Sequence, residues 1–170
     1  MIYPIVKFGD PVLEKPAETV TVFDDKLKTL LEDMFESMYE AHGVGLAAPQ
    51  IGLSQRIAVI DVTFKEDPKQ KLVLINPEII RKEGRHTQSE GCLSIPDFRE
   101  NVTRASKVTV RAQDADGKWF EKTGEGLLAR AFLHETDHLN GKLYFTHISA
   151  LKRDLMKRKI RKLMKAGEWK

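Results

Sequence analysis

The segment His134-Glu135-Thr136-Asp137-His138 constrains this chain more than any other. It lies in a run of helical character from about Glu125 to Leu139, which Asn140-Gly141 ends. On a helix, residues four apart share one face, so both imidazoles can point at one metal ion. Glu135 projects roughly 100° further round the axis. It does not ligate in the same way, but it can reach a water held at the same ion. That is the arrangement for a metal-activated water with a carboxylate general base. Ala131 and Leu127 continue the histidine stripe one and two turns earlier and would form an apolar wall beside the metal.

The remaining pattern brackets this helix with strands. Leu27, Leu30, Leu31, Met34, Phe35 and Met38 recur at helical spacing from about Asp24 to Ala41, with Gly43 as a stop. Gly43-Val44-Gly45-Leu46-Ala47-Ala48-Pro49-Gln50 reads as a loop. Strands are expected at Arg56 to Val62, Leu72 to Asn76, Lys107 to Gln113 and Trp119 to Lys122, with Asp116-Gly117 turning between the last two. A basic helix is expected from Ser149 to Lys165, with Leu151, Leu155, Ile160 and Leu163 among its apolar positions. Strands in the middle and helices at both ends predict an α+β fold. In it a largely antiparallel sheet packs around a central helix carrying the HExxH segment. The 170 residues fit one domain, 1–170, including the C-terminal helix.

Catalytic zinc sites keep three protein ligands and one open position. A thermolysin-like downstream glutamate is not available, because the acids after His138 are Asp154 and Glu168, both in the basic tail. The longer HExxHxxGxxH pattern matches at Gly141 but ends on Tyr144. Two candidates stay open on the residues alone. His147 is downstream at a spacing that fits neither pattern. Cys92, the single cysteine, lies in Glu90-Gly91-Cys92-Leu93-Ser94, where glycine allows close backbone approach. Its thiolate suits a zinc- or iron-type ion, although a lone thiol is more often a buried packing residue.

Three segments together resemble the peptide deformylase family in order and spacing: the loop Gly43 to Gln50, the segment Glu90 to Ser94, and His134 to His138. The similarity covers nearly the whole chain, including Phe8-Gly9-Asp10-Pro11-Val12-Leu13. It implies a metal-dependent hydrolase that removes the N-formyl group from the N-terminal methionine of new proteins and releases formate. By the same resemblance Cys92, His134 and His138 hold one divalent metal. Fe²⁺ would serve in the cell, and Zn²⁺, Ni²⁺ or Co²⁺ can substitute. Glu135 is then the general base. The Gln50 side-chain amide and the Leu93 backbone N–H are then the oxyanion donors. Gly45 pairs with the substrate backbone, while Val44, Leu127 and Ala131 line the methionine pocket. Arg99 lies near the next substrate residues, and Glu90 pairs with an arginine, here Arg104. Two positions depart from the usual pattern: Leu133 where the family often has glutamine, and Arg130 where many members are apolar.

Charge is uneven along the chain. Nine of the 28 Lys and Arg, but only two of the 25 acids, lie in residues 151–170. The body is therefore mildly acidic and the tail strongly basic. Such a tail suits a polyanion, and the resemblance makes the ribosome the expected partner. Lys157, Arg158, Lys159, Arg161 and Lys162 would supply phosphate contacts. The first ten residues lack the basic start and apolar run of a signal peptide. No apolar run approaches the ~18 residues of a membrane span. A single cysteine excludes an intrachain disulfide and fits a reducing compartment. The chain is expected to be a cytoplasmic monomer.

Overall fold

The computed structural model describes residues 1–169. It contains helix α1 (Asp25–Glu40), strands β1 (Gly45–Ala47), β2 (Ile57–Ile60), β3 (Leu72–Glu83), β4 (His86–Cys92), β5 (Ile95–Arg104), β6 (Lys107–Gln113) and β7 (Trp119–Glu125), and then helices α2 (Leu127–Leu139) and α3 (Ala150–Lys165). Five strands form an antiparallel sheet in the order β1-β2-β3-β6-β7, and β4 pairs with β5 as a separate antiparallel hairpin. The fold is the expected α+β arrangement.

Strand alternation explains how one sheet serves two helices. Along a strand successive side chains point to opposite faces. In β2, Ala58 and Ile60 pack with Leu74, Val108, Val110 and Ala112 against Phe132 and Ala129 of α2. Ile57 and Val59 pack on the other side with Leu31, Met34, Phe35 and Met38 of α1. All four β2 residues are buried, so the strand reads as an unbroken apolar run rather than an alternating one. The side chain of Asp24 caps α1 by accepting from the Leu27 N–H at 3.0 Å.

The hairpin of β4 and β5 was absent from the expected elements, and β3 runs well past Asn76. Strand β4, His-Thr-Gln-Ser-Glu-Gly-Cys, is too polar to show a strand pattern. Its pairing comes from β5, and its one acidic residue, Glu90, meets Arg130 and His134 of α2. Helix α2 starts at Leu127, two residues later than expected. Glu125 ends β7, and Gly126 takes a left-handed φ of 59° to turn the chain.

Helix α3 closes the far side of the hairpin. Met156 and Ile160 are buried with Ile95, Val102, Tyr144 and Phe145, and the hydroxyl of Ser149 caps the helix by accepting from the Lys152 N–H at 3.2 Å. Leu151 and Leu155, expected among its apolar positions, are exposed. They lie on the opposite side of the stripe from Met156 and Ile160. Among the described residues no helix is long and apolar enough to cross a membrane.

This packing predicts an asymmetry in α3. Ile160→Ala should cost about 2–4 kcal/mol in urea unfolding, from lost burial plus a cavity. Leu151→Ala should stay within about 0.5 kcal/mol of the parent. Equal losses would contradict the packing.

Candidate metal centre and substrate cleft

Helix α2 places His134 and His138 one turn apart, and the end of β4 carries Cys92 over both. The ligand atoms of the three residues lie within 4.8 Å of one another. His134 Nε2 is 3.1 Å from His138 Nε2, and Cys92 Sγ is 3.3 Å from His138 Nε2. Zinc–nitrogen and zinc–sulfur bonds meeting at tetrahedral angles separate such atoms by about 3.3 and about 3.6 Å. Soft thiolate plus two imidazoles is also a donor set for Zn²⁺, Fe²⁺, Co²⁺ or Ni²⁺. The donors therefore fit one divalent ion. His147, the other candidate, points elsewhere: its Nε2 lies 2.8 Å from Asp137 Oδ2.

Behind His134 stands a buried carboxylate. Glu90 on β4 accepts from His134 Nδ1 at 2.6 Å. That leaves Nε2 free to face the ion, the tautomer a metal-ligating histidine needs. Arg104 donates to Glu90 through Nε at 2.9 Å and Nη2 at 2.7 Å. Arg130 donates to the same carboxylate at 2.8 Å and to the His86 carbonyl at 3.0 Å. Arg104 reaches on to Asp137 at 2.8 Å. Burial works to raise the Glu90 carboxyl, but the Arg104 and His134 hydrogen bonds and charges outweigh it and hold it well below the usual range. Arg130 thus has a definite place: where many relatives are apolar, this chain spends the position on a second cation for Glu90. Leu133 packs in the core between α2 and the sheet.

Glu135 is 4% exposed, and its Oε1 has no hydrogen-bond partner among the described residues. Burial pushes its carboxyl up to about 7. A carboxyl titrating near neutrality suits both accepting and returning a proton. Its other oxygen lies directly against Gly45, where any Cβ would collide with it. That contact, invisible in the sequence, is a reason for glycine at this position.

Gln50 is buried in the short helical turn Ala48–Ile51. Its Oε1 accepts from the Ala47 N–H at 3.0 Å. Its Nε2 donates to Ser94 Oγ at 3.2 Å and contacts Cys92 Sγ at 3.6 Å. The amide is therefore held with its N–H groups toward the ligand cluster. Ser94, fully buried, was missed by sequence reasoning, because a serine two residues beyond the cysteine carries no signal of its own. Leu93 sits in the turn between β4 and β5, in contact range of any side chain at Gly43.

A cleft of about 510 Å³ opens over these groups. Val44 and Gly45 form one wall at the free edge of β1, the outermost strand of its sheet. Leu127 and Ala131 line another, with Ala131 buried and Leu127 at the rim. Arg99 also lines the cleft, fixed by its Nε to Ser89 Oγ at 2.9 Å. Ten of the eleven candidate residues line this cleft. His138 lies behind it and reaches it through the ligand cluster.

An HExxH helix, a facing thiolate and a buried carboxylate beside an open cleft define a metal-dependent hydrolase. Comparison with known proteins gives the particular family. A family model described as polypeptide deformylase matches residues 2–154. A peptide deformylase of Acidobacterium capsulatum is 66% identical over 169 residues, 99% of each chain. One of Cellvibrio japonicus is 48% identical over 167 residues, 98% of each. The crystal structure of a peptide deformylase from Legionella pneumophila is similar with a TM-score of 0.91 at 48% identity, covering 100% of this chain and 99% of that one. The Plasmodium falciparum peptide deformylase gives 0.89 at 36% identity, with 96% of each chain covered. The chain belongs to the polypeptide deformylase family, hydrolases that remove the N-formyl group from the N-termini of new proteins.

The Glu90 cluster makes a two-part prediction. Glu90→Gln should weaken metal binding about ten- to a hundredfold in a chelator competition, because His134 loses its charged orienting partner. The carboxyl's folded value lies below its ordinary 4.5. Its stabilisation is therefore present above about pH 4.5 and is lost as pH falls through the folded value. Glu90→Gln should accordingly flatten the acid side of the stability–pH curve. An unchanged metal affinity, or an unchanged acid slope, would contradict this.

Proposed function

We propose that the chain is a single catalytic unit spanning residues 1–170 that deformylates N-formylmethionyl peptides at one divalent ion held by Cys92, His134 and His138. The observation that carries this reading is the convergence of those three ligand atoms beside the buried, unpartnered Glu135 carboxylate. A metal at this site would supply Lewis acidity toward water and toward the formyl oxygen. The remaining steps belong to the chain. Glu135 takes a proton from the attacking water and returns it to the leaving amine nitrogen as the C–N bond breaks, giving formate and a free α-amino group. Gln50 Nε2 and the Leu93 N–H donate to the oxyanion that develops on the formyl oxygen. Removal of one such donor typically costs ~10²–10³ in rate.

The substrate backbone adds to the free edge of β1 at Gly45, a mode in which main-chain hydrogen bonds give affinity and pockets give specificity. The methionine side chain enters between Val44, Leu127 and Ala131, and Arg99 stands beside the following residues. The ion in the cell is Fe²⁺ in this reading, with Zn²⁺, Ni²⁺ and Co²⁺ able to replace it. The enzyme works in the cytoplasm as a monomer.

Helix α3 supports a ribosomal partner. Arg158, Lys159, Arg161 and Lys162 are exposed on it, opposite the buried Met156 and Ile160. Lys157 is half-buried, with its Nζ 5.8 Å from the Phe145 ring centroid, so it contributes less to such a face. Fixed cations on one side of a helix suit the phosphates of rRNA.

Two outcomes test the reading. Protein purified without air should release formate from formyl-Met-Ala-Ser, and Glu135→Ala should lose at least 10²-fold in kcat with its metal retained. No release by the wild type loaded with iron, nickel, cobalt or zinc would refute the function. Reversal of Arg158, Lys159, Arg161 and Lys162 to glutamate should abolish salt-sensitive co-sedimentation with ribosomes, whereas unchanged pelleting would exclude this face of α3 as the contact.

A further inference from the structure

The β4–β5 hairpin shares no strand pairing with the five-stranded sheet among the described residues. Yet the two oxyanion donors stand on opposite sides of that joint. Gln50 belongs to the short helical turn that follows β1, and Leu93 to the turn between β4 and β5. A donor works only if it is aimed at the place where charge develops. The spacing between these two donors is therefore set by whatever spans the joint.

A third piece of chain spans it. In residues 6–8 the Val6 N–H donates to the Gln50 carbonyl at 2.7 Å, and the Phe8 N–H donates to the Ser94 carbonyl at 2.8 Å. One short backbone segment thus holds the residue that carries one donor and the neighbour of the residue that carries the other. Side chains close the same loop, since Gln50 Nε2 donates to Ser94 Oγ at 3.2 Å. Ser94 is fully buried, so its carbonyl has Phe8 as its partner where water cannot reach.

The segment is itself locked from beyond α3. There the chain turns back, with the Gly167 N–H on the Met164 carbonyl at 3.1 Å and the Glu168 N–H on the Leu163 carbonyl at 2.9 Å. This brings the Trp169 indole onto residue 8, and its Nε1 donates to the Phe8 carbonyl at 2.8 Å. The Trp169 ring meets Phe98 edge-on, with centroids 6.1 Å apart, and Phe98 lines the cleft. The Phe8 ring is pinned edge-on against Phe145 at 5.0 Å. Both polar groups of the Phe8 backbone are therefore used, one toward the site and one toward Trp169. We propose that Trp169 is a positioning residue for the reaction: through Phe8 and Ser94 it holds the Gln50 amide at its working distance from the Leu93 N–H. This rests on the deformylase reading and on Gln50 as an oxyanion donor.

The test compares nickel-loaded wild type, Trp169→Phe and Trp169→Ala for formate release from formyl-Met-Ala-Ser, with bound metal measured on the same samples. Trp169→Phe keeps a ring against Phe98 and loses the N–H donor. It should lower kcat about three- to tenfold, part of the ~10²–10³ that loss of a whole donor costs. KM should stay within about twofold, because these donors act on charge that appears in the transition state. Trp169→Ala should lose more. The decisive arm is the Gln50→Ala background, where Trp169→Phe should cost less than about twofold because the spacing it maintains has lost one end. A merely structural tryptophan would add its full effect there. Unchanged kcat in both Trp169 variants would overturn the proposal. So would a loss matched by lost metal or carried by KM, or a full loss retained beside Gln50→Ala. Full kcat in Gln50→Ala alone would overturn it by removing the donor it positions, while the deformylase reading stands. No release by the wild type would defeat that reading itself.

Discussion

The Glu90 carboxylate is the point on which the site depends. It sits on a strand of the β4–β5 hairpin, yet it binds a histidine and an arginine of α2. The hairpin also carries Cys92, so the same interaction that orients His134 fixes the thiolate relative to both imidazoles. Without it, two separately formed pieces of structure would have to agree on ligand spacing to within a fraction of an ångström. Burying such a cluster is not itself a strong source of stability, because desolvation offsets much of the attraction. What it supplies is a single geometry. Both Glu90 oxygens are fully used, each accepting two donors from Arg104, Arg130 and His134. A carboxylate so saturated has few other orientations open to it.

The rest of the architecture serves that geometry. The sheet, packed on both faces by α1 and α2, presents β1 as a free edge beside the ligands. Gly45 lets that edge approach the Glu135 carboxylate closely. Gln50 is tied to the backbone at Ala47 and to Ser94, so its amide faces the ligands before any substrate arrives. Such preorganisation is what makes a hydrogen-bond donor effective toward charge that develops only during reaction.

Much of this was legible in the sequence, for identifiable reasons. Helix α1 shows its apolar stripe. The HExxH segment announces itself, because a helix with two histidines four apart has few other uses. The resemblance to deformylases supplied the partners of that segment, which spacing alone left divided between Cys92 and His147. The hairpin was not legible. Its first strand is polar, and its register is set by cross-strand pairing rather than by its own pattern. Arg130 stood out only as a departure from the family pattern, and its reason emerges once Glu90 is seen across from it. Ser94 gave no warning. Its importance lies in contacts across the fold, which neither periodicity nor motif records.

The claim most in need of a direct test is that Cys92, His134 and His138 together hold one divalent ion. Titration of the metal-free protein with Co²⁺ under anaerobic conditions measures this by absorption. The account predicts saturation at one equivalent per chain. The spectrum should carry a thiolate-to-cobalt charge-transfer band and intense visible bands of tetrahedral type, with the charge-transfer band absent in Cys92→Ser. No binding by the wild type, or a thiolate band that persists in Cys92→Ser, would contradict it.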